Sequence, residues 1–145
     1  MKSKLKVVLD TNIFINGWLF AEDHDSCSRI MDMIDNRKIQ LLFAQDTIGE
    51  LVYLIKNFAR HNIDDVNLRI SLLQRVMELF YYSTSVNTMD TTTPLIADQY
   101  DSMFLKCAIE GKADFLVSDD FKSGMHELEN VSFQVVGSDR FVEIV

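Results

Sequence analysis

Two kinds of hydrophobic run alternate along this chain: short unbroken apolar stretches, and longer stretches in which apolar residues recur every three or four positions. Leu5 to Leu9, with two adjacent valines and an abrupt stop at Asp10, has the character of a buried strand, and a helix follows it. Ser26 to Ile39 carries Cys27, Ile30, Met31 and Ile34 at helical spacing, and Leu41 to Ala44 forms the next strand. Ile48, Leu51, Val52, Ile55 and Ala59 mark an amphipathic helix. After Asp64 and Asp65 a longer one sets Leu68, Leu72, Val76 and Leu79 on one face, so that the two can pair as a helical hairpin. Ser83 to Pro94, rich in Ser, Thr and Asn, predicts a weak edge strand and a loop. Then come a helix from Asp101 to about Gly111, a buried strand Phe115 to Val117, a short helix near His126 and a last strand Phe133 to Val136. This alternation predicts an α/β fold: a central parallel sheet of four or five strands with helices on both faces, in three layers.

Length and composition narrow the picture. The 145 residues suffice for one compact domain, 1–145, and neither a linker nor a repeat interrupts them. The basic opening Met1 to Lys6 is followed by an apolar run too short for a signal peptide, so the expected location is cytoplasmic, with no membrane partner. Cys27 and Cys107 are too few for a disulfide framework and sit at helical core positions as reduced thiols. His24, His61 and His126 have no metal-ligand spacing and are expected at the surface. A formal charge of −8 argues against unspecific attraction to nucleic acid, so any such contact must be local. An acidic surface also suits a basic protein partner.

The candidate chemistry lies in four acids. Asp10, Glu50, Asp101 and Asp120 each stand at the end of an apolar run or the start of a helix, and in an open α/β sheet those places converge on one crevice. Two unit charges about 4 Å apart repel by roughly 4 kcal/mol at an effective dielectric of 20. Such a cluster therefore needs protons, a buried Lys or Arg, or a divalent metal, and oxygen-only ligands favour Mg²⁺ or Mn²⁺. Each acid also has a local reading. Thr47-Ile48-Gly49-Glu50 fits a capping box, Asp98 and Asp101 fit helix caps, and Asp120 precedes a short helix. Asp10, directly after a buried strand, is the hardest to read that way.

With the acids placed on this framework, the chain resembles the PIN-domain family of metal-dependent ribonucleases over nearly its whole length. Val7-Val8-Leu9-Asp10-Thr11-Asn12 matches the family's opening strand and Asp-Thr-Asn. Glu50 matches an acid early in a helix, Asp98 and Asp101 match a pair of Asp residues opening a helix, and Ala113 to Asp120 matches the last signature. The chain departs from the pattern in three places: Asp119 stands where Gly is usual, Ser118 replaces the commoner Thr, and the segment Ser83 to Ala97 matches poorly. Alignment to the motif assigns Asp120 as the metal-facing acid, with Asp119 as the alternative.

The resemblance implies a PIN-like fold and hydrolysis of RNA phosphodiester bonds with Mg²⁺ or Mn²⁺. It implies that Asp10, Asp101 and Asp120 are direct or water-mediated ligands and that Glu50 holds a water or a second ion. Thr11, Asn12 and Ser118 would orient the carboxylates, with Asp98 and Asp119 beside them. Small free-standing members resemble toxin halves of toxin–antitoxin pairs, which implies an antitoxin partner, and homodimers are usual. Tyr53, Phe58, Tyr81 and Tyr82 are candidates for an interface or for the core. The alternative is a catalytically silent PIN-type domain that binds RNA or protein. A haloacid-dehalogenase-like phosphatase fits worse, since Asn12 stands where its second Asp belongs, and a response-regulator receiver lacks its Lys and its early acidic pair.

Overall fold

The computed structural model describes residues 4–145; Met1, Lys2 and Ser3, the first half of the basic opening, lie outside the described residues. Five parallel strands form one sheet in the order β3-β2-β1-β4-β5: β1 Leu5–Leu9, β2 Ile39–Ala44, β3 Thr84–Val86, β4 Phe115–Val117 and β5 Gln134–Val136. Val7 pairs with Leu41 on one side and Phe115 on the other, and Val117 pairs with Val136. Strands buried on both faces need continuous apolar sequence, and alternation along them then feeds two separate cores. Val7, Leu9, Leu41, Phe43 and Val117 point into one core; Val8, Leu42 and Leu116 point into the other.

The first core lies beneath α1 Thr11–Leu19, α2 Asp25–Asp35, α3 Gln45–Asn62, α4 Val66–Tyr82 and α6 Ser138–Ile144, and the second beneath α5 Ser102–Glu110. Three layers and a five-stranded parallel sheet therefore hold as expected, and α3 and α4 pack against each other as a hairpin. Differences are local. The helix expected over Ser26 to Ile39 ends at Asp35, because Arg37 takes a left-handed φ of 56° and Ile39 already pairs with Leu5. Leu68 lies outside the buried stripe of α4, half exposed beyond Leu72, Val76 and Leu79, and α4 is no longer than α3. The short helix near His126 is a single 3-10 turn, Met125–Glu127, and α6 is a helix additional to the expected elements. Tyr53, Tyr81 and Tyr82 are exposed and belong to neither core. Both cysteines are buried and free, with burial pushing the thiols up to about 11 for Cys27 and about 12 for Cys107. No described helix is long and apolar enough to cross a membrane.

Strand order locates the site. The chain moves outward from β1 to β2 and β3, then returns to the other side of β1 for β4. Loops leaving β1 and β4 at their C-terminal ends therefore part in opposite directions and open a crevice. Asp10 follows β1 and Ser118 follows β4.

Candidate active site

Asp10 caps α1 and is 5% exposed. Its Oδ2 accepts a hydrogen bond of 2.8 Å from the Ser118 hydroxyl, and its Oδ1 faces the Asn12 backbone N–H at 3.5 Å. Asn12 thus acts through its backbone, and its side chain is exposed. Ser118 Oγ also accepts from Asp120 N at 3.1 Å, so one buried hydroxyl ties the loop after β4 to the acid after β1. Asp120 Oδ1 accepts from Lys122 N, closing the next turn.

Asp119 and Asp120 are adjacent but do different things. Both oxygens of Asp119 are taken by Ser138, from its N–H at 2.7 Å and its hydroxyl at 2.7 Å. Asp119 therefore anchors the start of α6, while Asp120 joins the acids. Together Asp98, Asp101 and Asp120 bring one carboxylate oxygen each within 4.8 Å of one another. Asp98 also caps the 3-10 turn Gln99–Asp101 that leads into α5, accepting from Tyr100 N at 3.0 Å.

The capping accounts of Glu50 and Asp101 fail in the structure. α3 begins at Gln45, and Thr47 bonds back to Ala44, its hydroxyl accepting from the Ala44 N–H at 2.9 Å and donating to the Ala44 carbonyl at 3.1 Å. Glu50 is thereby one turn too far along to cap, and its Oε2 is buried without a hydrogen-bond partner. Asp101 precedes α5 but makes no side-chain cap, and its Oδ2 is likewise buried and unpartnered. Orphaned buried carboxylate oxygens are costly and uncommon, which makes them pointers to a missing ligand.

Charge gathers here without compensation. Burial raises the Asp101 carboxyl to about 7, helped by repulsion from Asp10, Asp98, Asp120 and Glu50. Asp10 is also raised, by burial above all, although the Ser118 hydroxyl works against the shift. For Glu50 the cause is again burial, with Thr11 opposing and Asp10 adding to it. The ion pairs among the described residues, Arg29–Asp25, Arg75–Asp35 and Arg140–Glu143, leave all five acids unpaired. Of the three remedies for clustered carboxylates, a buried Lys or Arg is thus not used, and protons or a divalent cation remain. Six-fold oxygen coordination by carboxylates and water suits Mg²⁺ or Mn²⁺, and the donor set fits.

A family model described as PIN domain matches residues 6–122. The chain belongs to the PIN-domain family. No curated protein matches the chain by sequence. Among solved structures, this PIN domain is similar to VapBC2 from Rickettsia felis, crystallised bound to a DNA fragment from their promoter. The identity is 15% and the TM-score 0.57, covering 92% of this chain and 98% of that one. It is also similar to PAE2754 from Pyrobaculum aerophilum, at 13% identity and a TM-score of 0.58, covering 97% of this chain and 88% of that one. At such identities the likeness is one of fold.

One residue around the PIN-domain crevice escaped the sequence. His126, expected at the surface, is half-buried, packs tilted against Phe121 with ring centroids 4.4 Å apart, and donates from Nε2 to the Ser118 carbonyl at 2.8 Å. Because a carbonyl only accepts, Nε2 carries the proton. Seven residues separate His126 from Ser118, and no periodicity in the sequence connects them.

Proposed function

We propose that this PIN domain is a Mg²⁺- or Mn²⁺-dependent endoribonuclease whose site consists of Asp10, Glu50, Asp101 and Asp120. The observation that carries the proposal is the pair of buried, unpartnered oxygens, Glu50 Oε2 and Asp101 Oδ2, inside a cluster that no cation among the described residues pairs with. Asp98, at ligand distance from Asp101 and Asp120, is the fifth acid able to hold the ion. A bound divalent ion would lower the pKa of an attacking water and offset the charge that develops on the phosphate.

The chain's own groups supply orientation. Ser118 locks Asp10 through its hydroxyl and Asp120 through its backbone, and His126 holds the Ser118 carbonyl from behind. Thr11 favours the ionised form of Glu50, against the effect of burial. Asp119 keeps the loop docked on α6, so that Asp120 rather than Asp119 meets the metal.

We further propose an RNA substrate cut at a limited set of sites, since a chain of net charge −8 has little unspecific attraction for phosphate. Physiologically we read the protein as the toxin half of a toxin–antitoxin pair with an antitoxin protein as partner, supported by the likeness in fold to VapBC2. It would act as a homodimer in the cytoplasm, where two unpaired cysteines are at home. The dimer would use α4, where Val66, Ile70, Leu73, Met77 and Phe80 recur at spacings of four and three, each at least 38% exposed. That period is the seam of a coiled-coil contact, and a second copy presents the same seam.

The test is cleavage of single-stranded and structured RNA with Mn²⁺, with EDTA, and by Asp101→Asn. The proposal expects products only with metal and none from the variant. Cleavage that survives EDTA would overturn the metal mechanism. No cleavage of any RNA by a metal-loaded protein would favour the silent binding domain.

A further inference from the structure

At the opposite end of the sheet from the acids, between the C-terminus of α2 and the last turns of α4, lies a cavity of about 270 Å³. The parallel sheet puts it there: Ile39, Gln40 and Leu41 at the start of β2 line it, whereas Asp10, Ser118 and Asp120 follow strand ends. Its apolar wall includes Trp18, Met31, Ile34 and Leu79. Around the mouth stand three cations, Lys4, Arg37 and Arg75, and two carboxylates, Asp35 and Glu78. Asp35 holds Arg75 at 2.8 Å, so that charge is met locally. Lys4 and Arg37 form no ion pair among the described residues. In a chain of net charge −8 this mouth is a local surplus of positive charge.

Two guanidinium groups here lie over aromatic rings. Arg37 Cζ sits 3.3 Å from the centroid of the Tyr82 ring, and Arg75 Cζ 5.6 Å from that of Trp18. Arg37 also carries backbone strain. It follows Asn36, the C-cap of α2, at a left-handed φ of 56°, with its N–H bonded to the Ile34 carbonyl and the Lys38 N–H to the Met33 carbonyl. This closing turn ordinarily takes glycine, since an L side chain is disfavoured there. An arginine kept at a strained position, on the lip of a cavity and over a tyrosine ring, is the sort of outlier that points to function.

We propose that this cavity is a nucleotide-binding site distinct from the acidic crevice, holding a planar base against Trp18 and Tyr82 and a phosphate on Arg37 and Lys4. Aromatic faces and guanidinium planes both stack bases without regard to sequence. A guanidinium fork also matches phosphate geometry. The volume lies just below the range of drug-sized pockets, roughly 300–1,000 Å³, as suits a single nucleotide. Glu78 repels an anion at the α4 side, which places the phosphate toward Lys4 and Arg37. A free mononucleotide and one unpaired nucleotide of an RNA chain share this chemistry.

Trp18 is the chain's single tryptophan, so its emission reports on the cavity directly. Excited at 295 nm in EDTA, which removes any cleavage, the protein would be titrated with adenosine 5′-monophosphate, adenosine, inorganic phosphate and a short unstructured oligoribonucleotide. We expect saturable quenching by the monophosphate or the oligonucleotide, the one that binds identifying the source, weaker quenching by adenosine and none by phosphate alone. Arg37→Gly relieves the strained φ and should melt no lower than wild type, yet should lose about tenfold or more in apparent affinity. Tyr82→Leu should weaken binding as well. Absence of saturable quenching by both the monophosphate and the oligonucleotide, or equal affinity in Arg37→Gly, would overturn the proposal. Adenosine binding as tightly as the monophosphate would remove the phosphate contact.

Discussion

At Asp101 capping and ligation make opposite demands. A capping carboxylate would accept an N–H bond, yet Asp101 Oδ2 accepts none and lies among four other acids. Asparagine is nearly isosteric, caps helices well and carries no charge, so Asp101→Asn removes repulsion without emptying space. The variant should abolish RNA cleavage and leave the metal-free protein as stable as wild type or more so, read from urea unfolding in EDTA. The same repulsion sets a pH dependence. Asp101 titrates near 7 in the folded chain, against about 3.9 unfolded, so the native state binds more protons between those values. Its contribution is therefore fully present below about pH 4 and lost as the pH rises through 7. Between pH 5 and 7.5 the metal-free melting temperature should fall as Asp101 loses its proton, and the slope should be shallower in Asp101→Asn. Ser118 makes the reverse case: its hydroxyl satisfies a buried carboxylate, and Ser118→Ala should cost about 1.5–3 kcal/mol at pH 7.5, as for hydrogen bonds to charged groups.

Elements show which parts of the fold were legible. Strands β1, β2 and β4 stood out because strands buried on both faces must be continuous apolar runs, and α3 and α5 because their buried stripes keep helical period. The acids were legible for a related reason, since Asp10 and Asp120 are tied to strand ends that topology brings together. α6 was not legible. It has only seven residues, and its start is held by Asp119 from a different loop, a contact no local pattern encodes. The α2 boundary was misplaced because Arg37 closes the helix where glycine would have announced the end. Helix contacts also give a test of packing. A Cβ on Gly17 would lie 2.8 Å from the Cys27 carbonyl oxygen and 2.6 Å from Met31 Cγ, so α1 and α2 approach closely only because this residue has no side chain. Gly17→Ala should destabilise by about 1–3 kcal/mol, measured by denaturant midpoint, the usual range for overpacking.

At the scale of the whole molecule, one chain has three surfaces with separate chemistry: an acidic crevice at the strand ends, a cavity with basic groups at its mouth at their beginnings, and an apolar stripe on α4. If the stripe is a dimer seam, Met77→Glu should turn a dimer into a monomer in light scattering after gel filtration, with little change in secondary structure. A wild-type monomer at micromolar concentration would remove the homodimer. The central claim, that the clustered acids hold a divalent metal, is tested most directly by the melting temperature at pH 7.5 with and without Mn²⁺, in wild type and in Asp101→Asn. A ligand at about 100 times its dissociation constant stabilises the native state by about 2.7 kcal/mol, and for a chain of this size that is a rise of roughly 5–10 °C. The account expects that rise in wild type and a much smaller one in the variant. Equal shifts in the two proteins, or none in wild type at millimolar Mn²⁺, would contradict it.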